Sequence, residues 1–410
     1  MNIPFPSKTT TKLKKKNYYI PSATLLGGLF ILLIALTAFL WRLASLTNDK
    51  LSVSELVTKH NMFLDSPWWQ SPAYLNGPYY GLLHATYAIS RNVFFFRLAS
   101  VFIGIMTSLV VYWLVSQWHG YKIAILSSLI FISNFGVLTL SRQANPDQTQ
   151  LLLIIALLTV IILINRYPNY WTILGLIIII SGSLYIPAAV WLVLATLWFS
   201  YPVIKQTLAQ LDRKSWLSLG FINLVLIAPL AYRLIFFYSN KQLLLWLGYN
   251  LHGTIAALSE YAINLGNNFL DLFIHTANLA PTLSLGRLPL MPVADSVLIG
   301  LAIYFYATHF NNYRWRALLI LLVGGWLVTG LGVLSVFSLL PLLTLSIGTS
   351  LTYLLKEWHR VFPFNPIARQ TGMLIMSLAI LLTCFYTARS YFVAWAYDPS
   401  TSHQYVARRL

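Results

Sequence analysis

Carboxylates are scarce in this chain: ten Asp and Glu stand among 410 residues, against 27 Lys and Arg, and charged residues of all kinds make up only 9%. So thin a charged coat does not solvate the surface of a water-soluble protein of this size, which excludes an ordinary soluble enzyme. Cysteine is represented once, by Cys384 within an apolar run, so an intrachain disulfide and a cysteine metal site are both excluded. No G-x-x-x-x-G-K-[ST] loop occurs, and ATP-driven transport therefore has no motif to rest on. No internal repeat stands out, which counts against transporter folds built from duplicated halves. Strictly alternating polar and apolar residues are missing too, which argues against a β-barrel.

What is present is hydrophobicity: 58% of residues are apolar or aromatic, and the mean hydropathy is +0.70. Unbroken apolar runs of roughly 18 to 25 residues match the ~30 Å hydrocarbon core at 1.5 Å per residue. Backbone groups cannot go unpaired in lipid, so these runs predict an all-α polytopic membrane protein. The breaks define about eleven candidate spans, at 21–46, 98–116, 123–140, 149–165, 171–184, 187–203, 216–236, 293–309, 317–334, 338–355 and 371–388. The first is too long for a signal-peptide core and reads as retained. The run 171–200 is long for one helix and short for two; Ser181, Gly182, Ser183 and Pro187 in its middle favour a hairpin.

Charge supports the hairpin. With it, Lys12 to Lys16, Lys122, Arg166, Lys205, Arg213, Lys214, Arg314, Arg316, Lys356, Arg360 and Arg369 all fall on one side, and short loops rich in Lys and Arg stay cytoplasmic. The net charge of +17 is then mostly topology rather than a nucleic-acid surface, and the basic tail attracts anionic lipid. The expected layout is a basic cytoplasmic tail (1–20), a transmembrane body (21–388) and a short external tail (389–410), in the plasma membrane with the amino terminus inside and the carboxyl terminus outside. Residues 404–410 read as the beginning of a helix that stops early. In this orientation Asp49, Glu55, Asp65, Asp147, Glu260, Asp271, Asp295 and Asp398 lie outside, so chemistry is expected on the external face.

Two external loops are long, 47–97 and 237–292, and loops of that length tend to carry function. Val53, Leu56, Val57, His60 and Phe63 recur at helical spacing in the first, as do Leu82, Leu83, Thr86 and Tyr87. Interfacial helices lying apolar face down are expected there. Three acids, Asp49, Glu55 and Asp65, gather in this loop beside Trp68, Trp69, Tyr74, Tyr79 and Tyr80. The aromatics either contact a ligand or form the interfacial belt. His60 and His84, far apart on separate helices, are a weak zinc pattern.

From Asp49 to Ile164 the chain resembles the amino-terminal half of bacterial GT-C glycosyltransferases, the protein O-mannosyltransferase and aminoarabinose-transferase-like enzymes. The likeness is carried by Pro78 in the first loop, Arg97-Leu-Ala-Ser100 opening the second span and Gly104 within it. Trp118-His-Gly120 and Arg142-Gln-Ala-Asn-Pro-Asp147 complete it. The resemblance implies transfer of a sugar from a polyprenyl-phosphate carrier to a lipid, glycan or protein acceptor outside the cytoplasm. It also implies a catalytic acid in the first external loop, often from an Asp-Glu pair at a helix start; here Ser54-Glu55 occupies that place, so the first acid of the pair is missing.

Such a transfer needs a carboxylate to take the acceptor proton and a cation to stabilise the departing phosphate. Glu55 and then Asp49 are the candidates for the base. Glu55 also fits a capping box, since Ser52-Val53-Ser54-Glu55 matches S-x-x-E. Arg97, Arg142, Arg233 and Arg287 form the pool for the phosphate, because guanidinium matches phosphate geometry. Arg142 is alternatively an interfacial anchor, and Asp147 an acid favourable at a helix amino terminus. Arg97, near the membrane, requires a partner such as a first-loop acid. Trp68, Tyr79 and Asp147 complete the expected substrate contacts. A divalent cation is compatible with this chemistry, and no organic cofactor is implied. The rival readings are a non-enzymatic carrier or flippase for a lipid-linked sugar and an inactive relative of the enzymes. A transporter places ionisable groups near mid-bilayer, whereas here nearly all charges fall at span ends.

Overall fold

The computed structural model describes residues 22–47, 50–62, 75–236, 243–244, 246–248, 254–276, 279–309 and 312–406. Nearly all of them are helical. Helix α1 (Ser22–Leu40) is followed by the first-loop helices α2 (Val53–Met62) and α3 (Gly77–Ile89), and then by α4 (Val93–His119), the longest, at 27 residues. Asn92 starts α4 by accepting the Phe95 N–H on its side chain, and Gly120, at φ 84°, ends it. Beyond lie α5 (Tyr121–Ser133), α6 (Phe135–Arg142) and α7 (Gln148–Arg166).

The run expected as a single span at 123–140 is two helices bent by 63°. Asn134 makes the break: its side-chain oxygen accepts the Gly136 N–H while its amide donates to the Leu290 carbonyl at 3.0 Å. Gly136 permits the bend, because a Cβ there would lie 2.7 Å from the Phe337 ring.

The stretch 171–200 forms two helices, α8 (Tyr170–Ser183) and α9 (Ala189–Ala209), separated by a turn in which Ala188 has φ 62°. The sidedness inferred from charge has a direct test. Reporter fusions after Lys214 are expected to be active in the cytoplasm and fusions after Arg389 outside it; the opposite result at either point would overturn the parity argument.

The remaining helices are α10 (Arg213–Phe236), α11 (Thr254–Phe273), α12 (Val293–Thr308), α13 (Tyr313–Thr329), α14 (Leu340–Val361) and α15 (Pro366–Arg389). Each expected span is helical over most of its length. Among the described residues, however, only six helices are long and apolar enough to cross a membrane, or seven counting the bent pair. Helices α8 and α12 are shorter apolar helices. The core is built on α4, α7 and α14, while α1, α10 and α15 turn Leu29, Leu33, Leu217, Phe221, Leu374 and Leu381 outward. Exposed rows of that kind suit lipid rather than water.

Gly104 is the point of closest approach between α4 and α6. A Cβ there would lie 2.4 Å from Ser141 Oγ and 2.8 Å from Ser141 Cβ, with no flexible end to yield. Gly104→Ala is therefore expected to cost ~1–3 kcal/mol by overpacking, read as a lower melting temperature of the purified protein.

The carboxyl-terminal segment is not a free tail. After a π-helical turn (Ser390–Trp395) and a short helix, α16 (Pro399–Ser402), it returns as strand β2 (Tyr405–Val406). This pairs antiparallel with β1 (Leu51–Ser52), Leu51 opposite Val406 and Ser52 opposite Tyr405. Residues 405 and 406, expected to begin a helix, are extended because the first loop offers them a partner edge; 407–410 lie outside the described residues.

Candidate functional site

The first loop is organised around Glu55. Ser52 Oγ accepts the Glu55 N–H at 3.3 Å and Glu55 Oε2 accepts the Ser52 N–H at 2.9 Å, so the capping box is formed. It turns α2 so that Val53 and Val57 are exposed while Glu55, Thr58 and Met62 are buried. Val53, Val57 and His60 of the face read from the sequence thus point away from the protein, as an interfacial helix requires, while Leu56 packs half-buried against the core and residue 63 lies outside the described residues.

Glu55 is fully buried and faces Arg97, itself 1% exposed. Arg97 Nε donates to Oε1 at 2.7 Å and Nη2 to Oε2 at 2.9 Å. A further bond comes from the Ala144 N–H to Oε1, at 3.0 Å. The other guanidinium N–H groups go to Leu43 O, Thr47 Oγ1 and Lys50 O, each at 2.9 Å. Burial by itself raises the Glu55 carboxyl, but the Arg97 guanidinium and the hydrogen bonds outweigh it and hold the group below the usual carboxylate range. Each oxygen of Glu55 accepts two hydrogen bonds in a dry setting. A proton acceptor needs a lone pair directed at the substrate, and Glu55 presents none; the geometry makes it a clamp on the loop after α6. Arg97 has the first-loop acid it needed, and no N–H is left for a phosphate.

Arg142 is committed elsewhere as well. Its Nη1 donates to Ala38 O at 2.7 Å and Phe39 O at 3.3 Å, Nη2 to Arg42 O at 3.2 Å, and Nε to Tyr391 Oη at 3.2 Å. The guanidinium also lies over the Phe392 and Tyr391 rings, at 4.9 and 5.4 Å. It closes the open carbonyls at the end of α1, the role of a cation at a helix carboxyl terminus. Instead of the selective loss of donor use that a phosphate ligand would show, Arg142→Ala is expected to cost ~2 kcal/mol or more in stability. Donor kinetics of the folded fraction should stay unchanged, as thermal denaturation beside donor titration would show.

Asp147 is the acid that these clamps present. Loop 143–147 is tied down at successive residues: Gln143 donates to Thr282 O and Tyr405 Oη, the Ala144 N–H to Glu55, and the Asn145 N–H to Ser100 Oγ. Ser100 in turn bonds Tyr79 Oη at 2.9 Å. At the end of this loop Asp147, half-buried, sits at the head of α7. Gln150 Nε2 donates to its Oδ1 at 3.0 Å. Burial pushes its carboxyl up to about 6, against the weaker opposing effect of its hydrogen bonding with Asn145.

An apolar groove of ≈ 330 Å³ runs between α3, α4, α7 and α8 and reaches Thr149, two residues after Asp147; it is lined among others by Pro78, Tyr79, Phe102, Met106, Leu152 and Ile179. Thr149 and Asn76 stand in its wall, and the Asn76 side-chain oxygen is buried without a hydrogen bond. Tyr79 is a buried wall residue, and burial raises its hydroxyl well above the ordinary range.

Other expected site residues are placed differently. Asp49, Asp65 and Trp68 lie outside the described residues, and so does the Arg233 side chain, although its backbone continues α10. Arg287 is exposed in the turn after α11, whose residue Thr282 is held by Gln143. Sequence reasoning missed Ser100, Gln143, Gln150 and Tyr405. The first was within sight as the end of Arg97-Leu-Ala-Ser100 and the next two flank Asp147, but nothing local marked Tyr405.

No family model matches the chain, and no curated protein sequence does. Solved structures do. The archaeal oligosaccharyltransferase AglB from Archaeoglobus fulgidus, solved with an inhibitory peptide and a dolichol-phosphate, superposes with a TM-score of 0.59 at 13% identity, over 90% of this chain and 56% of its own. ArnT from Cupriavidus metallidurans superposes with a TM-score of 0.52 in the apo state, at 12% identity, over 93% of this chain and 75% of its own. With undecaprenyl phosphate bound, ArnT gives 0.50 at 11% identity, over 92% and 74%. The chain shares its fold with these two proteins, both GT-C membrane glycosyltransferases. The chain spans little more than half the length of AglB, and at these identities the likeness is one of fold.

Proposed function

We propose that this protein is an integral membrane glycosyltransferase that takes a sugar from a polyprenyl-phosphate carrier and transfers it to an acceptor at the external face. The observation that carries the reading is a half-buried carboxyl, Asp147, raised by burial and standing two residues before Thr149 in the wall of an apolar groove. The neighbours in fold include one solved with dolichol-phosphate and one with undecaprenyl phosphate, which supports a carrier of that kind.

In this reading the prenyl chain lies along Phe102, Met106, Leu152 and Ile179, where its burial is favourable at about 25 cal/mol per Å². The sugar phosphate emerges at Asp147. A group titrating near 6 is ionised at neutral pH yet basic enough to draw the acceptor's proton as the glycosidic bond forms at the sugar's anomeric carbon. The leaving phosphate takes the bonding electrons to the carrier, and a cation must meet it. Arg97 and Arg142 are spent, which leaves Arg287 as the described candidate and Arg233 as the other. Glu55 acts by holding the 143–147 loop, and Asp49 remains the alternative base.

The test is release of polyprenyl phosphate from a panel of lipid-linked sugars by the purified protein, wild type against Arg287→Ala. Release that depends on one sugar and an increase of ~10-fold or more in donor KM for Arg287→Ala are expected, the latter from loss of a charge-assisted contact. No release from any lipid-linked sugar would overturn the proposal. Unchanged kinetics of Arg287→Ala would move the phosphate role to Arg233.

A further inference from the structure

Of the acids assigned to the external side, Asp295 sits in a setting unlike the rest. It lies in the first turn of α12 and is 2% exposed. Its carboxylate has no hydrogen bond or ion pair among the described residues, and it lies close enough to the Cys384 thiol on α15 to act on it electrostatically. It lines a trench of ≈ 490 Å³ between α12, α14 and α15 that is distinct from the groove beside Asp147.

The trench is otherwise apolar. Leu351 and Leu355 of α14 and Ile375, Met376 and Ala379 of α15 form its shaft, and no Lys or Arg lines it. The part along α15, from Gly372 to Thr383, spans ~16 Å at 1.5 Å per residue. Its two other polar side chains are committed: Trp358 Nε1 donates to Ala368 O at 2.7 Å and Thr383 Oγ1 to Ala379 O at 3.1 Å. The committed Thr383 hydroxyl retains only acceptor capacity, so the polar end of the trench offers acceptors and no free donor. The open positive end of α12 eases the carboxylate only in part, because a helix terminus offsets less than the burial of an unpaired ion costs. An ionisable residue left unpaired among helices that face lipid marks a binding site in the ordinary case.

We propose that this trench binds a membrane amphiphile with one alkyl chain and a primary ammonium group, the chain along α14 and α15 and the ammonium hydrogen-bonded to Asp295. The choice follows from complementarity. An alcohol leaves the charge uncompensated, a carboxylate or phosphate repels it, and a trimethylammonium has no N–H to give.

Equilibrium binding of radiolabelled dodecylamine to the full chain in lipid nanodiscs tests this, with dodecyltrimethylammonium, dodecanol and dodecanoate as competitors. Saturable binding is expected, with each competitor weaker by ~10-fold or more, the worth of one charge-assisted hydrogen bond. Asp295→Asn should abolish the preference for the amine, and Ala379→Trp, which fills the shaft, should abolish binding of every chain. Dodecanol or dodecanoate competing as well as the amine on the wild-type protein would overturn the proposal without recourse to a variant. Undiminished amine affinity in a folded Asp295→Asn would do so too. Neither result depends on sugar transfer, so failure here leaves the proposed activity untouched.

Discussion

Asp147→Asn is expected to lower sugar transfer by ~10²- to 10⁴-fold, the usual contribution of general base catalysis, while melting temperature and expression stay close to wild type. The asparagine keeps the oxygen that accepts from Gln150 Nε2, so the local hydrogen bond survives. What disappears is the titrating oxygen. Because burial places this carboxyl at about 6, wild-type kcat/KM should climb as pH rises through that value and then level off, the base being active only when ionised. A pH profile of Asp147→Asn that retained the same inflection would assign it to another group, with Asp49 first in line.

Glu55→Gln is expected to act on a different quantity. The substitution keeps side-chain size and can still serve as the third residue of the capping box. It removes the charge that Arg97 was buried to meet. Breaking a buried pair by removing one partner costs ~3–5 kcal/mol, because the remaining ion stays desolvated without compensation. Against a typical total stability of ~5–15 kcal/mol this is a severe loss, visible as early aggregation in detergent and a steep fall in melting temperature. Replacing both partners together, Glu55→Leu with Arg97→Leu, should recover part of the stability, since no charge is then stranded. If Glu55→Gln melts like wild type but transfers no sugar, the clamp reading is wrong and Glu55 is the base.

The contrast between these two acids shows how far the sequence carried. Glu55 and Asp147 were both visible as rare external carboxylates within segments resembling the glycosyltransferases, and local pattern marked Glu55 as a capping residue. Which acid is locked in a buried ion pair was not legible, because the decision rests on Arg97, 42 residues further on, and on the Ala144 N–H, 89 residues away. Arg142 stayed open between phosphate ligand and anchor for the same reason. Its partners are α1 carbonyls about 100 residues back and Tyr391, 249 residues ahead, and no local signal announces carbonyls left open at the end of a helix. Asp295 was assigned to the external side, at the end of the apolar run 293–309; that the packing of α14 and α15 against α12 buries it was not legible.

By itself the sequence determined the helical class, the two first-loop helices, the capping box at Ser52 and the break near Pro187. Each follows from forces acting within a few residues, namely apolar run length against bilayer thickness, side-chain competition for free backbone N–H groups, and the backbone limits of proline and its neighbours. The tertiary structure alone decided the bend at Asn134, the return of the chain end as a strand on Leu51–Ser52, and the division of the charged residues into clamps and an available carboxylate. A buried ion takes whatever partner reaches it first with good geometry, and that partner is set by how distant helices pack, not by its neighbours in the chain.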